Sequence, residues 1–244
     1  MNINISTTPS ELGQRAAALV ADKLNETIQN KGEARLLVST GSSQFETLAS
    51  LVQSNVDWSC VEVFHLDEYI GLEPTHPASF RKYLYERFIG KILVKAFYPV
   101  DGNEPIPEQI EWLDHEILKK PIDVGLIGIG VNGHIAFNDP PADFKTREPY
   151  IVVHLDDKCK MQQVNEGWFS SLEEVPATAI SMSVHQILQC QIIVSAVPHL
   201  VKAEAIALTL QNGPTNQVPA TMLKQHPDWH LFLDTNSASA VVRF

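Results

Sequence analysis

Three short stretches of this chain hold residue types that can do chemistry. In the first, Phe64-His65-Leu66-Asp67-Glu68-Tyr69, two adjacent carboxylates follow an apolar run. Neighbouring side chains of an extended segment point to opposite faces, so one of the pair can face a ligand crevice and act as a base. The plainer alternative is that Asp67 caps the segment that follows. The second stretch, Gly128-Ile129-Gly130-Val131-Asn132-Gly133, matches G-x-G-x-x-G after a strand and invites a dinucleotide reading. That fingerprint should open a helix, yet the chain continues through His134-Ile135-Ala136-Phe137-Asn138-Asp139 into Pro140-Pro141, which forbids an early regular helix. Dinucleotide binding is therefore rejected. What remains is a glycine turn presenting Asn132, His134, Asn138 and Asp139, the material of a general acid/base with an orienting carboxylate, or else a surface histidine in a turn. The third stretch, Ser39-Thr40-Gly41-Ser42-Ser43, lies between a strand and a helix. Its small residues expose backbone N–H groups, its hydroxyls donate, and a helix N-terminus follows, a combination suited to phosphate. An ordinary turn capped by Ser and Thr would look similar. The Gly-Lys-Ser/Thr of the Walker pattern is absent.

The elements around these stretches alternate. Leu12, Ala16, Leu19, Val20, Leu24 and Ile28 recur at helical spacing, with a stop at Lys31-Gly32. Strands are expected at 35–39, 61–64, 96–100, 122–127, 150–153, 179–182, 191–197 and 229–233, with helices at 44–53, 78–89, 110–118 and 200–210 between them. This pattern predicts one α/β domain over residues 1–244: a doubly wound, mainly parallel, Rossmann-like sheet with helices on both faces. Ligands of such sheets sit beyond the carboxyl ends of the strands, where all three stretches fall. The chain has 244 residues, 44 % of them hydrophobic, enough for a sizeable core and too apolar for disorder. No apolar run approaches the roughly 18 residues of a membrane span, and the first residues do not resemble a signal peptide, so a cytoplasmic protein is expected. Cys60, Cys159 and Cys190 are scattered and read as reduced thiols. His226 and His230 are four apart, but Pro227 intervenes and no third ligand accompanies them, so no metal is expected. A formal net charge of −11 and the lack of a basic run argue against nucleic acid as a partner, and would also repel an anionic ligand unless local geometry overrules the global field.

Together the motifs resemble the glucosamine-6-phosphate deaminase (isomerase) family, whose wider superfamily includes the 6-phosphogluconolactonases. The likeness rests on Leu-Val-Ser-Thr-Gly-Ser-Ser at 37–43, Phe-His-Leu-Asp-Glu-Tyr-Ile-Gly-Leu at 64–72 and Gly-Ile-Gly-Val-Asn-Gly-His-Ile-Ala-Phe-Asn-Asp-Pro at 128–140, in that order. Thr75–Phe80, Val218-Pro219-Ala220 and Gln225-His226-Pro227 extend it to most of the chain. The resemblance implies an enzyme without metal or redox cofactor that opens the ring of a hexosamine phosphate, shifts a proton between C1 and C2, and releases ammonia to give fructose 6-phosphate. Asp67 falls on the family's acid/base, His134 on the residue that assists ring opening, and Asn132 on a position that is Asp or Asn. Asp139 stands where a Glu normally orients the histidine. Its carboxylate is one methylene shorter, a retraction of about 1.5 Å on ordinary bond lengths, so either the loop has moved or the reaction differs in detail.

Ser39, Thr40, Gly41, Ser42 and Ser43 match the family's phosphate loop, with Gly133 counted among the substrate-binding residues. Lys202 aligns with a phosphate-binding lysine. Lys160, with Lys158 as the competing choice, stands where an arginine is usual and would supply charge without the bidentate fork. The segment 143–153 lacks a basic pair aligned with that of the allosteric hexameric members, and the chain ends short of their C-terminal tail. Both differences imply a monomer or small homo-oligomer that is not activated by an N-acetylated sugar phosphate. Galactosamine 6-phosphate or another hexosamine phosphate as substrate, lactone hydrolysis, and a non-catalytic sugar-phosphate sensor are the competing expectations.

Overall fold

The structure is a computed structural model that describes residues 1–165 and 167–241; the Lys158 side chain lies outside the described residues. Among the described residues, ten strands fall into two sheets. Seven are parallel: β1 (Asn2–Ser6), β2 (Ala34–Val38), β3 (Val61–His65), β5 (Ala96–Tyr98), β6 (Val124–Leu126), β9 (Ile192–Val197) and β10 (Trp229–Asp234), in the spatial order β1-β10-β9-β6-β2-β3-β5. The remaining three, β4 (Asp67–Tyr69), β7 (Tyr150–His154) and β8 (Thr178–Met182), form a small antiparallel sheet ordered β4-β8-β7.

The large sheet is buried on both faces, as a parallel sheet must be. Along β2, Leu36 and Val38 pack on one side and Leu37 on the other, while in β9 Val194 and Ala196 oppose Ile193 and Val197. One face is covered by α1 (Pro9–Lys31), α2 (Phe45–Val52) and α3 (Phe80–Arg87), through Leu12, Val20, Leu24, Leu48, Leu51, Leu84 and Phe88. The other packs on α4 (Ile106–Leu118) and α7 (Ala203–Gln211), through Leu113, Ile117, Ala205 and Ile206. Each fully buried Leu or Phe of these sets contributes about 1.5–3 kcal/mol of transfer free energy. Helix α1 begins with Pro9 in its first turn and the Thr8 hydroxyl accepting the Glu11 N–H (3.1 Å), and it ends at the expected stop, on Gly32 in the left-handed conformation, φ 79°.

The doubly wound, mainly parallel sheet agrees with the sequence expectation. The runs at 150–153 and 179–182 are strands too, but they leave the main sheet and pair antiparallel with β4. Strands β1 and β4 and helices α5 (Asp157–Asn165) and α6 (Val184–Ile187) were not anticipated. Their apolar patterns are short, and β1 gains its order only by pairing along β10. Helix α5 and the small sheet enclose a third apolar cluster that includes Tyr69, Phe137, Leu155, Phe169 and Ala179.

The sequence order of strands reverses between β6 and β2: β2, β3 and β5 run outward one way, β6, β9 and β10 the other. A crevice opens at such a switch point, beyond the carboxyl ends of the strands. Both glycine-containing stretches start there.

Candidate active site

Four adjacent strands deliver the candidate residues to one place. β2 ends in the Ser39–Ser43 loop, β3 leads through Leu66 to Asp67, β6 leads to the Gly128–His134 turn, and β9 leads to a 3-10 turn, Leu200–Lys202, that opens α7. One pocket is lined by Ser39, Thr40, Gly41, Ser42 and Ser43, by Asp67 and His134, and by Lys202. Ser79, Phe80 and Tyr83 of the α3 region, Phe137, and Gln162, Gln163 and Trp168 of the α5 region also line it.

The Ser39–Ser43 loop is fixed from three sides. The Ser39 hydroxyl accepts the Gly128 N–H (3.1 Å), joining the two loops across the switch point. Gly41 adopts φ 100°, conformational space that costs a side chain dearly, and its carbonyl accepts the Tyr83 hydroxyl (2.8 Å). The buried Gln44 amide donates to the Ala196 carbonyl (3.1 Å) and to the Ser43 hydroxyl (3.0 Å). Residues Ser42–Gln44 make a 3-10 turn leading into α2, and among the described residues no side chain caps its N-terminal N–H groups. An anion placed there meets aligned donors and the positive end of the helix.

The acidic pair divides as extended backbone requires. Asp67 lines the pocket, whereas Glu68 is fully buried on the opposite side and accepts hydrogen bonds from the Ser79 hydroxyl (2.9 Å) and the Arg81 N–H (2.9 Å), anchoring the start of α3. Burial pushes the Asp67 carboxyl well above the usual range, with Glu68 and then Asp139 adding to the shift. Burial also raises Glu68, against the opposing pull of its hydrogen bonds. His65 is fully buried and does not line this pocket; burial, then Arg81, pushes it down to about 3, so it stays neutral.

The glycine turn holds His134 tightly. Its N–H donates to Asn132 Oδ1 (3.0 Å), and its imidazole Nδ1 lies 3.0 Å from Asp139 Oδ1. Asn132 Nδ2 donates to the same Asp139 oxygen (3.1 Å). The shorter carboxylate at 139 thus reaches the histidine. Burial would raise Asp139, but His134, Cys159 and Asn132 outweigh it and hold this carboxyl below its ordinary value. Cys159 is buried, and burial and Asp139 push its thiol up, so it stays protonated and unreactive. At Gly130 an added Cβ would fall 2.2–2.4 Å from His134 ring atoms, so only glycine lets the ring lie over the turn. Gly133 itself does not line the pocket; its carbonyl accepts the Ala220 N–H (2.8 Å), which ties the turn to the Val218–Ala220 segment.

The small sheet sets the separation of Asp67 and His134. Asp67 sits opposite Ser181 of β8, and the Ser181 hydroxyl accepts the Phe137 N–H (3.0 Å) of the His134 loop. Asn138 clamps the same loop by donating to the Ile135 and Met182 carbonyls (both 2.8 Å). These interlocked bonds bring a buried carboxylate and an imidazole that lies 3.0 Å from a second carboxylate to one crevice, a pairing suited to moving protons to and from a bound molecule.

Of the expected anion-binding lysines, Lys202 is nine-tenths buried in the pocket wall. Lys160 is half-buried on α5 and is not a lining residue, although Gln162 and Gln163 of the same helix are. Nothing in the α5 sequence marked those amides, because a glutamine on a weakly amphipathic helix carries no signature of its neighbours. Among the described residues no group of three or more His, Cys, Asp or Glu side chains is arranged to hold a metal ion. Nor is any described helix long and apolar enough to cross a membrane.

The chain is 34 % identical to a glucosamine-6-phosphate deaminase of Thermoanaerobacter pseudethanolicus (strain ATCC 33223 / 39E), covering 99 % of this chain and 95 % of that one. It is 33 % identical to a glucosamine-6-phosphate deaminase of Streptococcus pneumoniae (strain 70585), over 93 % of both chains. Among solved structures it superposes on a monomeric glucosamine-6-phosphate deaminase with a TM-score of 0.88 at 30 % identity, covering 98 % of this chain and all of the other. A 6-phosphogluconolactonase of Trypanosoma brucei shares the fold at TM-score 0.81 but only 15 % identity. The profile of one enzyme family matches residues 7–231, the span that contains all four strands leading to the crevice, and the chain belongs to that family, the glucosamine-6-phosphate isomerases/6-phosphogluconolactonases.

Proposed function

We propose that the chain is a glucosamine-6-phosphate deaminase, converting glucosamine 6-phosphate and water to fructose 6-phosphate and ammonia. The phosphate rests on the N–H groups and hydroxyls of residues 40–43 and on Lys202. His134, oriented by Asp139 and Asn132, delivers a proton to the ring oxygen as the O1 hydroxyl gives up its own and the sugar ring opens to the aldehyde. Asp67 then removes the C2 proton and returns it to C1, while O1 takes up a proton and the nitrogen gives one up, leaving a hydroxymethyl group at C1 and a C=N bond at C2. Addition of water to that bond expels ammonia, so atoms and charge balance across the sequence. Asp67 suits the task because its raised proton affinity makes the ionised carboxylate a stronger base than a solvated one.

The observation that carries this reading is the buried Asp67 carboxylate facing the same pocket as His134. Lactone hydrolysis needs no proton shift between two carbons, and a single base that activates water is enough for it. The deaminase relatives at 33–34 % identity support the same choice, whereas the lactonase structure at 15 % supports only the fold. The test is ammonia release by the purified protein, with glucosamine 6-phosphate, galactosamine 6-phosphate and 6-phosphogluconolactone offered separately. Release from glucosamine 6-phosphate is expected. Release from the galactose epimer alone would move the substrate, and lactone hydrolysis without ammonia from either sugar would overturn the reading.

A further inference from the structure

Asp234 closes β10 at the carboxyl edge of the sheet, one residue beyond Leu233, which pairs with Val197 at the end of β9. It is fully buried. Its Oδ1 accepts two backbone N–H groups, that of His199 (3.2 Å) and that of Ser237 (2.7 Å). His199 has φ 80° and ψ 144°, a region that residues with a Cβ avoid. Its side chain is exposed, so burial of the imidazole does not hold the backbone there. The His199 carbonyl in turn accepts the Lys202 N–H (3.0 Å), closing the turn that places Lys202 in the pocket wall.

We propose that Asp234 is a positioning residue: through the His199 N–H it holds the strained backbone that aims Lys202 at the anionic end of the substrate. The inference rests on the reading of Lys202 as the phosphate-binding cation. A strained residue persists only where its surroundings over-determine it, and the buried carboxylate is the group that does so here. Were His199 to relax to negative φ, the chain would enter the Leu200–Lys202 turn in another direction and Lys202 would leave the crevice.

The test measures KM and kcat for glucosamine 6-phosphate, and affinity for inorganic phosphate by thermal shift, which needs no turnover. Asp234→Ala should raise KM about tenfold or more and weaken phosphate binding, with kcat changed much less, the pattern of lost ground-state binding. Asp234→Asn keeps an acceptor oxygen and should restore most of the affinity. His199→Pro removes the N–H and forbids positive φ while leaving the Asp234–Ser237 contact in place, so it should reproduce the defect even if Asp234→Ala does not fold. In a His199→Gly background, where positive φ costs nothing, loss of Asp234 should cost distinctly less affinity. Parental KM and phosphate affinity in His199→Pro would overturn the clamp. Parental values in Lys202→Ala would overturn the phosphate reading and the clamp with it, whereas a defect in Lys202→Ala alone would sink the clamp and spare that reading.

Discussion

Three carboxylates decide the chemistry at the residue scale, and their environments set them apart. Asp67 is buried in the pocket wall and its proton affinity is raised; Asp139 is paired with His134 and its affinity is lowered; Glu68 is spent on hydrogen bonds to α3. Asp67→Asn should lower ammonia release by about 10²–10⁴-fold while ligand-induced thermal stabilisation persists, as initial rates and melting curves would show. Because the Asp67 shift is upward, the active ionised form appears only above the ordinary aspartate range. The acidic limb of kcat/KM should therefore lie well above the normal carboxylate titration and vanish from the residual activity of Asp67→Asn. At position 139 the shorter side chain already sits 3.0 Å from the imidazole and 3.1 Å from Asn132. An extra methylene in that buried contact overpacks it, so Asp139→Glu should reduce kcat rather than raise it, despite restoring the family's usual residue.

The elements hold these groups still. His134 can lie over the turn only because residue 130 lacks a Cβ. Gly130→Ala should displace the ring and lower kcat by about 10²-fold, with the circular dichroism spectrum and overall fold retained. Helix α3 connects the two halves of the site, since Glu68 anchors its first turn and Tyr83 grips the Gly41 carbonyl. Tyr83→Phe removes one hydrogen bond worth about 0.5–1.5 kcal/mol, so KM should rise by a few-fold with kcat nearly unchanged.

Across the whole molecule, the net charge of −11 coexists with a pocket arranged for an anion. Exposed charges separated by more than the Debye length of about 8 Å are largely screened, so the nearby loop donors, the α2 terminus and Lys202 govern the crevice while distant carboxylates solvate the surface. Burying Asp67 and Glu68, whose proton affinities are raised, costs stability at neutral pH, whereas Asp139, whose affinity is lowered, adds to it. Asp67 binds its proton more tightly folded than unfolded, so folding stability falls as pH rises from its unfolded value toward its folded one. Asp67→Asn should thus melt higher than the parent at neutral pH, by on the order of 2–4 °C for each kcal/mol released, and the gap should close as pH falls toward 4. An equal or lower melting temperature at pH 7 would show that the buried carboxylate is not a burden on the fold.

The sequence by itself determined the alternation of strands and helices, the exclusion of a dinucleotide fingerprint by Pro140-Pro141, and the three stretches that can carry chemistry, because periodicity, glycine and proline act locally. The period of two in extended backbone put one of Asp67 and Glu68 toward a crevice, and the fold decided that it is Asp67. Tertiary structure alone decided that β4, β7 and β8 form a separate sheet, since a run such as 179–182 looks the same whichever partner it pairs with. That sheet, through Ser181, places Asp67 beside the His134 loop. Only the fold showed that Gln162 and Gln163 enter the pocket while Lys160 does not, and that Asp139 reaches His134 despite its length. Such facts depend on distances between residues far apart in sequence, and loop paths of that kind are set by packing, not by any local preference of the chain.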